Sequence, residues 1–122
     1  MGLDEILKAT FKGETTEVGW YLAMSKIAEE EGLAHVATYL RQIAMDEAWH
    51  AAEVAKLAGM VKDTKSNLTM MLEGEGMAEV EKREAAEIAR KEGNTAAALF
   101  FENASKDEAR HKAGIKGILE KL

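Results

Sequence analysis

Between residues 36 and 57 the apolar positions advance by alternating steps of four and three: Val36, Leu40, Ile43, then Val54 and Leu57, with Glu47 and His50 filling the places between. Steps of this kind keep side chains in line on one face of a helix. The same stripe returns near the C-terminus as Ala97, Phe101, Ala104, Glu108, His111, Ile115 and Ile118. Each of these helices is preceded by another. Leu3, Leu7, Thr10, Glu14, Glu17, Tyr21, Met24 and Ala28 predict an inward stripe on a helix from Leu3 to Glu31. Leu68, Met71, Glu75, Ala78, Ala85 and Ala89 predict the same for a helix ending at Glu92. Gly32, Gly59 and Gly93 are natural helix stops. Val61 to Ser66 reads as a linker, with Thr64 or Ser66 as the cap of the third helix and Asn94 or Thr95 as that of the fourth. Four helices and no strand are expected.

The four helices form two copies of one unit. A shift of sixty-one positions lays Gly13-Glu14 on Gly74-Glu75, Ile27-Ala28 on Ile88-Ala89, Gly32 on Gly93, Asp46-Glu47 on Asp107-Glu108 and His50 on His111. Residues 1–60 and 67–122 are therefore expected to be repeated helical hairpins within a single domain spanning 1–122. In both, the hairpin glycine lies midway between the Glu of the first helix and that of the second. Folding back brings the two carboxylates to one height.

Composition narrows what such a chain does. With no Pro and 47% hydrophobic residues, the 122-residue chain suits one helical core. The absence of Cys excludes disulfides, thiolate metal sites and a cysteine nucleophile. A formal charge of −6 without a basic patch argues against a nucleic-acid partner. No apolar run approaches a membrane span and no signal-peptide pattern opens the chain, so the expected location is the cytoplasm, with no membrane partner.

The chemistry lies in the two interruptions of the apolar stripes. A carboxylate and an imidazole stand where apolar residues belong, and a lone buried carboxylate is costly unless a positive charge meets it. Glu14, Glu47, His50, Glu75, Glu108 and His111 supply a Glu from each of two helices and Glu-x-x-His from the other two. That is the ligand set of the ferritin-like carboxylate proteins holding paired iron or manganese. Oxygen and imidazole donors suit those metals and give no reason to prefer a soft one. With Glu17 there are five inward carboxylates, which two divalent cations would largely neutralise. The expected fold class is accordingly all-α, a ferritin-like four-helix bundle of two hairpins.

At these motifs the chain resembles the rubrerythrins along its whole length. Rubrerythrin bundles carry one hairpin with Gly-Glu and Glu-x-x-His, and another whose first helix reads Gly-Glu-x-x-Glu. Here the second pattern comes first, as Gly13-Glu14-Thr15-Thr16-Glu17, and the matching position of the second half is Ala78. The hairpin order is thus permuted, and the four-Cys iron site of a rubredoxin domain has no counterpart. The resemblance implies a non-haem di-iron peroxidase. Two ferrous irons would pass two electrons to hydrogen peroxide, and an external donor, a rubredoxin-like or other protein, would restore them. It also implies that one iron exchanges Glu17 for His111 on reduction. Glu75 and Glu108 would hold that iron, and Glu14, Glu47 and His50 the other. Tyr21, one turn beyond Glu17, would donate a hydrogen bond or proton, although a structural Tyr fits the position equally.

Plainer readings stand beside these. Each Glu-x-x-His taken alone is an ordinary surface pair; the phase of the stripe and the repeat argue otherwise. Glu79 is out of phase and expected to be exposed, His35 is a surface histidine, and Lys82, which aligns with Tyr21 in the repeat, fits only as a snorkelling side chain. Trp20 and Trp49 lie beside the stripe. The linker is too short to span a bundle lengthwise, so a homodimer in which hairpins are exchanged between chains is expected. Rival functions are a ferroxidase or oxygen-reducing di-iron protein, an iron store, and a metal-free helical module.

Overall fold

The computed structural model describes every residue from Met1 to Leu122. The chain is all-α: α1 covers Leu3–Glu30, α2 Ala34–Leu57, α3 Thr64–Lys91 and α4 Thr95–Leu119. Two compact units divide it, Met1–Val61 and Lys62–Leu122, with α1 against α2 in one and α3 against α4 in the other. Each is a helical hairpin, as the repeat predicts.

Both hairpin turns use the same device. Gly32 and Gly93 adopt φ of 78° and 76°, a left-handed conformation that a Cβ would strain. In the first turn the Leu33 amide donates to the Ala28 carbonyl at 2.8 Å and the Gly32 amide to that of Glu29 at 3.0 Å. The second repeats this, Asn94 to Ala89 at 2.9 Å and Gly93 to Arg90 at 3.1 Å. Carbonyls orphaned by the helix end are thereby satisfied. Asn94 caps α4 as expected, its side-chain oxygen accepting from the Ala97 amide at 2.9 Å. The cap of α3 differs from expectation. It is Asp63, not Thr64 or Ser66, because its extended backbone turns the carboxylate onto the Ser66 amide at 3.0 Å and hydroxyl at 2.8 Å. The connection between the hairpins is correspondingly short, residues 58–63.

The seam of each hairpin is made of small residues. Ser25, Ala28, Ala37, Ala44, Ala51 and Ala55 are buried in the first, Ala86, Ala89, Ala98 and Ser105 in the second. This corrects the expected stripe. Val36, Leu40 and Ile43 are only half-buried and Leu57 and Ile118 are exposed, while Ala37 and Ala44, next to Val36 and Ile43, are enclosed. The reason is geometric: two helices share one line of contact, and only side chains on that line are covered from both sides. No large side chain is fully enclosed in either unit, and Trp20 and Trp49 are exposed beside the stripe. The buried hydroxyls are satisfied, Ser25 by the Leu22 carbonyl at 2.7 Å and Ser105 across the hairpin by that of Glu79 at 2.9 Å.

One pair of positions shows how far the copies have diverged while keeping their geometry. Glu29 on α1 meets Arg41 on α2 at 3.3 Å, and the equivalent positions, Arg90 and Glu102, form the same pair with signs exchanged. Exposed pairs of this kind add little stability, but they favour one register of the two helices.

The Asp63 cap gives a testable outcome. The Ser66 backbone and side-chain hydrogen bonds hold the Asp63 carboxyl below the usual carboxylate range. A lowered value means that its contribution is present above the ordinary carboxylate pKa and lost as pH falls through the lowered one. Asp63→Ala is expected to lower Tm by a few degrees at neutral pH and to make no difference in strong acid. Thermal melts across pH check it; an equal loss at both extremes would rule out the carboxylate cap.

Candidate metal centre

In the first hairpin α1 presents Glu14 and α2 presents Glu47 and His50, one turn apart on the same face. One ligand atom of each lies within 4.8 Å of the other two. His50 Nδ1 stands 3.5 Å from Glu14 Oε2 and 3.6 Å from Glu47 Oε1. The second hairpin repeats the cluster with Glu75 from α3 and Glu108 and His111 from α4, again within 4.8 Å. There His111 Nδ1 lies 3.5 Å from Glu75 Oε2.

Burial distinguishes these groups from surface pairs. The four carboxylate side chains keep only 15–20% of their exposure, although each packs against a single partner helix. Glu14 Oε2 and Glu75 Oε2 are enclosed and have no hydrogen-bond partner. At 3.5 Å the facing imidazole nitrogens are too far for a good hydrogen bond. An enclosed carboxylate oxygen without a donor is expensive. It is less so when a cation sits among the lone pairs of two carboxylates and an imidazole. The residues therefore fit a divalent metal in each hairpin, and oxygen with nitrogen donors suit iron or manganese.

A family model for rubrerythrin matches residues 5–119. The chain belongs to the rubrerythrin family. An uncharacterised protein of Methanocaldococcus jannaschii is 48% identical over 120 residues, 98% of this chain and 85% of that protein. Reverse rubrerythrin-1 of Clostridium acetobutylicum is 43% identical over 119 residues, 96% of this chain. The chain spans 66% of the length of that relative. No helix is long and apolar enough to cross a membrane.

The two clusters of this rubrerythrin do not have equivalent surroundings. Glu17, expected to face inward, is exposed on its hairpin, because it lies off the line of contact between α1 and α2. Its carboxyl nonetheless reaches Glu47. A hydrogen bond from one carboxyl to the other, and repulsion between them, push Glu17 above the usual carboxylate range. Glu17 and Tyr21 lie along one open face of α1, together with Gly13, Thr16, Trp20 and Met24. Tyr21 is half-buried. The second half-site has Ala78 in place of Glu17 and Lys82 in place of Tyr21. Lys82 does not snorkel away: its Nζ lies 3.4 Å from Glu108 Oε2. The repeat aligns Lys82 with Tyr21, and the fold decides which carboxylate it meets. Glu79 is half-buried rather than exposed, its Oε1 at 4.0 Å from Arg83, and His35 is exposed as expected.

The Glu17–Glu47 pair sets a pH dependence in metal-free protein. A raised value means that the favourable contribution is full below the ordinary carboxylate pKa and is lost as pH rises through the raised one. At neutral pH the two carboxylates repel. Glu17→Gln is therefore expected to raise Tm of the metal-free protein at neutral pH and to change nothing in acid below the carboxylate range. A melt showing no gain at neutral pH would remove the pair from consideration.

Proposed function

We propose that this rubrerythrin is a non-haem di-iron peroxidase that reduces hydrogen peroxide to water with electrons from an external donor protein. The observation that carries the reading is the duplicated cluster of two carboxylates and an imidazole, each with an enclosed, unpartnered oxygen. Glu14, Glu47 and His50 would hold one metal, and Glu75, Glu108 and His111 the other. Iron bound there would supply the two electrons that split the O–O bond, which with two protons would yield two waters. The chain's own groups have separate tasks. By the family resemblance Glu17, which lies beside Glu47, would add a carboxylate to the centre, and His111 would take its place on reduction. The Tyr21 hydroxyl, one turn away, is the candidate donor of a hydrogen bond or proton to bound peroxide.

The active species on this reading is a homodimer. The short connection supports it. About 15 Å of α2 follow Glu47 and about 16 Å of α3 precede Glu75, at 1.5 Å per residue. Residues 58–63 extend to at most about 25 Å. Parallel α2 and α3 of one chain thus fall short of levelling their carboxylates, whereas hairpins exchanged between two chains meet no such limit. The large apolar side chains left uncovered on each hairpin supply the surface such pairing would bury.

Two metals per chain are expected, falling to one in His50→Ala and in His111→Ala. Anaerobically reduced, iron-loaded protein should be oxidised faster by hydrogen peroxide than by oxygen in stopped-flow absorbance. Oxygen reacting as fast or faster would replace this reading with a ferroxidase, and a large multi-subunit shell on size exclusion would point to iron storage.

Tyr21→Phe is expected to slow peroxide turnover roughly tenfold with metal content unchanged. Unaltered turnover would leave Tyr21 structural.

A further inference from the structure

Charge is spread unevenly along this acidic chain. Residues 1–61 hold ten Asp and Glu against five Lys and Arg, and residues 62–122 hold twelve against eleven. The cations are thus concentrated in the second hairpin, and four of them gather on one helix. Lys106, Arg110, Lys112 and Lys116 are all exposed, on the side of α4 turned away from Glu108 and His111. Of the four only Arg110 is ion-paired, to Asp107 at 2.9 Å. Ala113 and Gly114 lie exposed among them, so no bulky side chain divides a basic stripe that runs for about 15 Å.

The fold does not require these charges. The repeat sets Met45, Trp49, Ala51 and Ala55 of α2 at the four matching positions, and none of them is charged. Ala51 and Ala55 are buried in the seam of the first hairpin, whereas Lys112 and Lys116 stand in solvent. Lys112 lies across Gly76 of α3, its Cε and Nζ 3.8 Å from where a Cβ would stand, so a longer side chain there would meet it. The matching residue of α1 is Thr15. A glycine inside a helix is destabilising. The second hairpin therefore gives up both a covered seam and helix stability where it presents lysines, which a merely solvated face does not call for.

We propose that this stripe is the docking face for the external electron donor, and that the donor is a small one-electron carrier protein with an acidic surface around its redox group. The inference rests on the peroxidase reading above and deepens it, naming the surface and the charge of the partner that the reading requires. Position suits the task. Arg110 and Lys112 flank His111 in the chain, and a partner seated on the outer face of α4 stands about 10 Å from that imidazole, the thickness of one helix. A formal charge of −6 repels an acidic carrier in general, and the stripe steers it to this helix. Such an encounter is small and short-lived. Each one oxidises a carrier by one electron and reduces one ferric ion to ferrous, so two encounters restore the centre.

Two measurements on the oxidised, iron-loaded protein read this. Stopped flow with a reduced rubredoxin of net negative charge follows delivery. The zinc-substituted form of the same rubredoxin, which carries no electron, follows binding in an NMR titration. Both should weaken as salt rises. Lys106→Glu combined with Lys116→Glu should slow reduction at least about tenfold at low salt and weaken binding in step. Oxidation of the dithionite-reduced variant by peroxide should keep the wild-type rate. Lys106→Gln with Lys116→Gln serves, with a smaller effect, should the reversal variant not fold. Reduction and binding indifferent to salt and to a folded variant overturn the proposal. So does a changed oligomeric state in that variant, which would make the stripe a subunit contact. Tighter binding of duplex DNA than of zinc rubredoxin overturns it too, as a nucleic-acid surface. Intact, salt-sensitive binding of zinc rubredoxin to a protein whose reduced iron reacts faster with oxygen than with peroxide would instead overturn the peroxidase reading and leave the docking face standing.

Discussion

Four carboxylates turned onto the contact faces of two hairpins, with hardly a donor to meet them, are the constraint on which the rest depends. Glu14 and Glu75 each bury an oxygen that nothing in the chain satisfies. A fold whose stability came first would place Leu or Ala there, as it does at neighbouring positions of the same seam. The cost would be offset by the binding free energy of a cation held between these oxygens and the facing imidazole. On the proposed reading, stability and metal binding are therefore linked quantities.

The seam of alanines follows from the same need. Small residues along the line of contact let the paired helices approach closely, which shortens the distance a carboxylate must reach to meet a ligand on the facing helix. Ala37, Ala44 and Ala51 form one edge of this seam in the first hairpin, and Ala98 and Ser105 do so in the second. What the seam does not provide is a core. Its covered surface is made of methyl groups, while Trp20, Trp49, Phe100 and several Met and Leu side chains stay exposed on each hairpin.

Duplication has left the copies alike in donor atoms and unlike in charge. The exchanged polarity of Glu29–Arg41 and Arg90–Glu102 leaves the pairing itself unchanged, since either sign favours the same register. The replacement of Glu17 and Tyr21 by Ala78 and Lys82 is different, because it falls beside the metal ligands. One hairpin gains a carboxylate beside Glu47 and the other an ammonium beside Glu108.

Sequence periodicity by itself determined the helices, their stops at Gly32, Gly59 and Gly93, the repeat, and the phase that places Glu47 and His50 on one face. These are properties of single helices, set by local backbone geometry and a period of 3.6 residues. Tertiary structure alone decided which residues on that face are enclosed, because enclosure depends on where two helices touch. That is why the alanines displaced Val36, Leu40 and Ile43 from the seam and why Glu17 came out exposed. It also decided the choice of Asp63 over Thr64 as a cap, which turns on one backbone angle. The contact between Lys82 and Glu108 belongs to the same class: the residues are twenty-six apart in the chain, and only the folding back of α4 on α3 gives an ammonium and a carboxylate a common address.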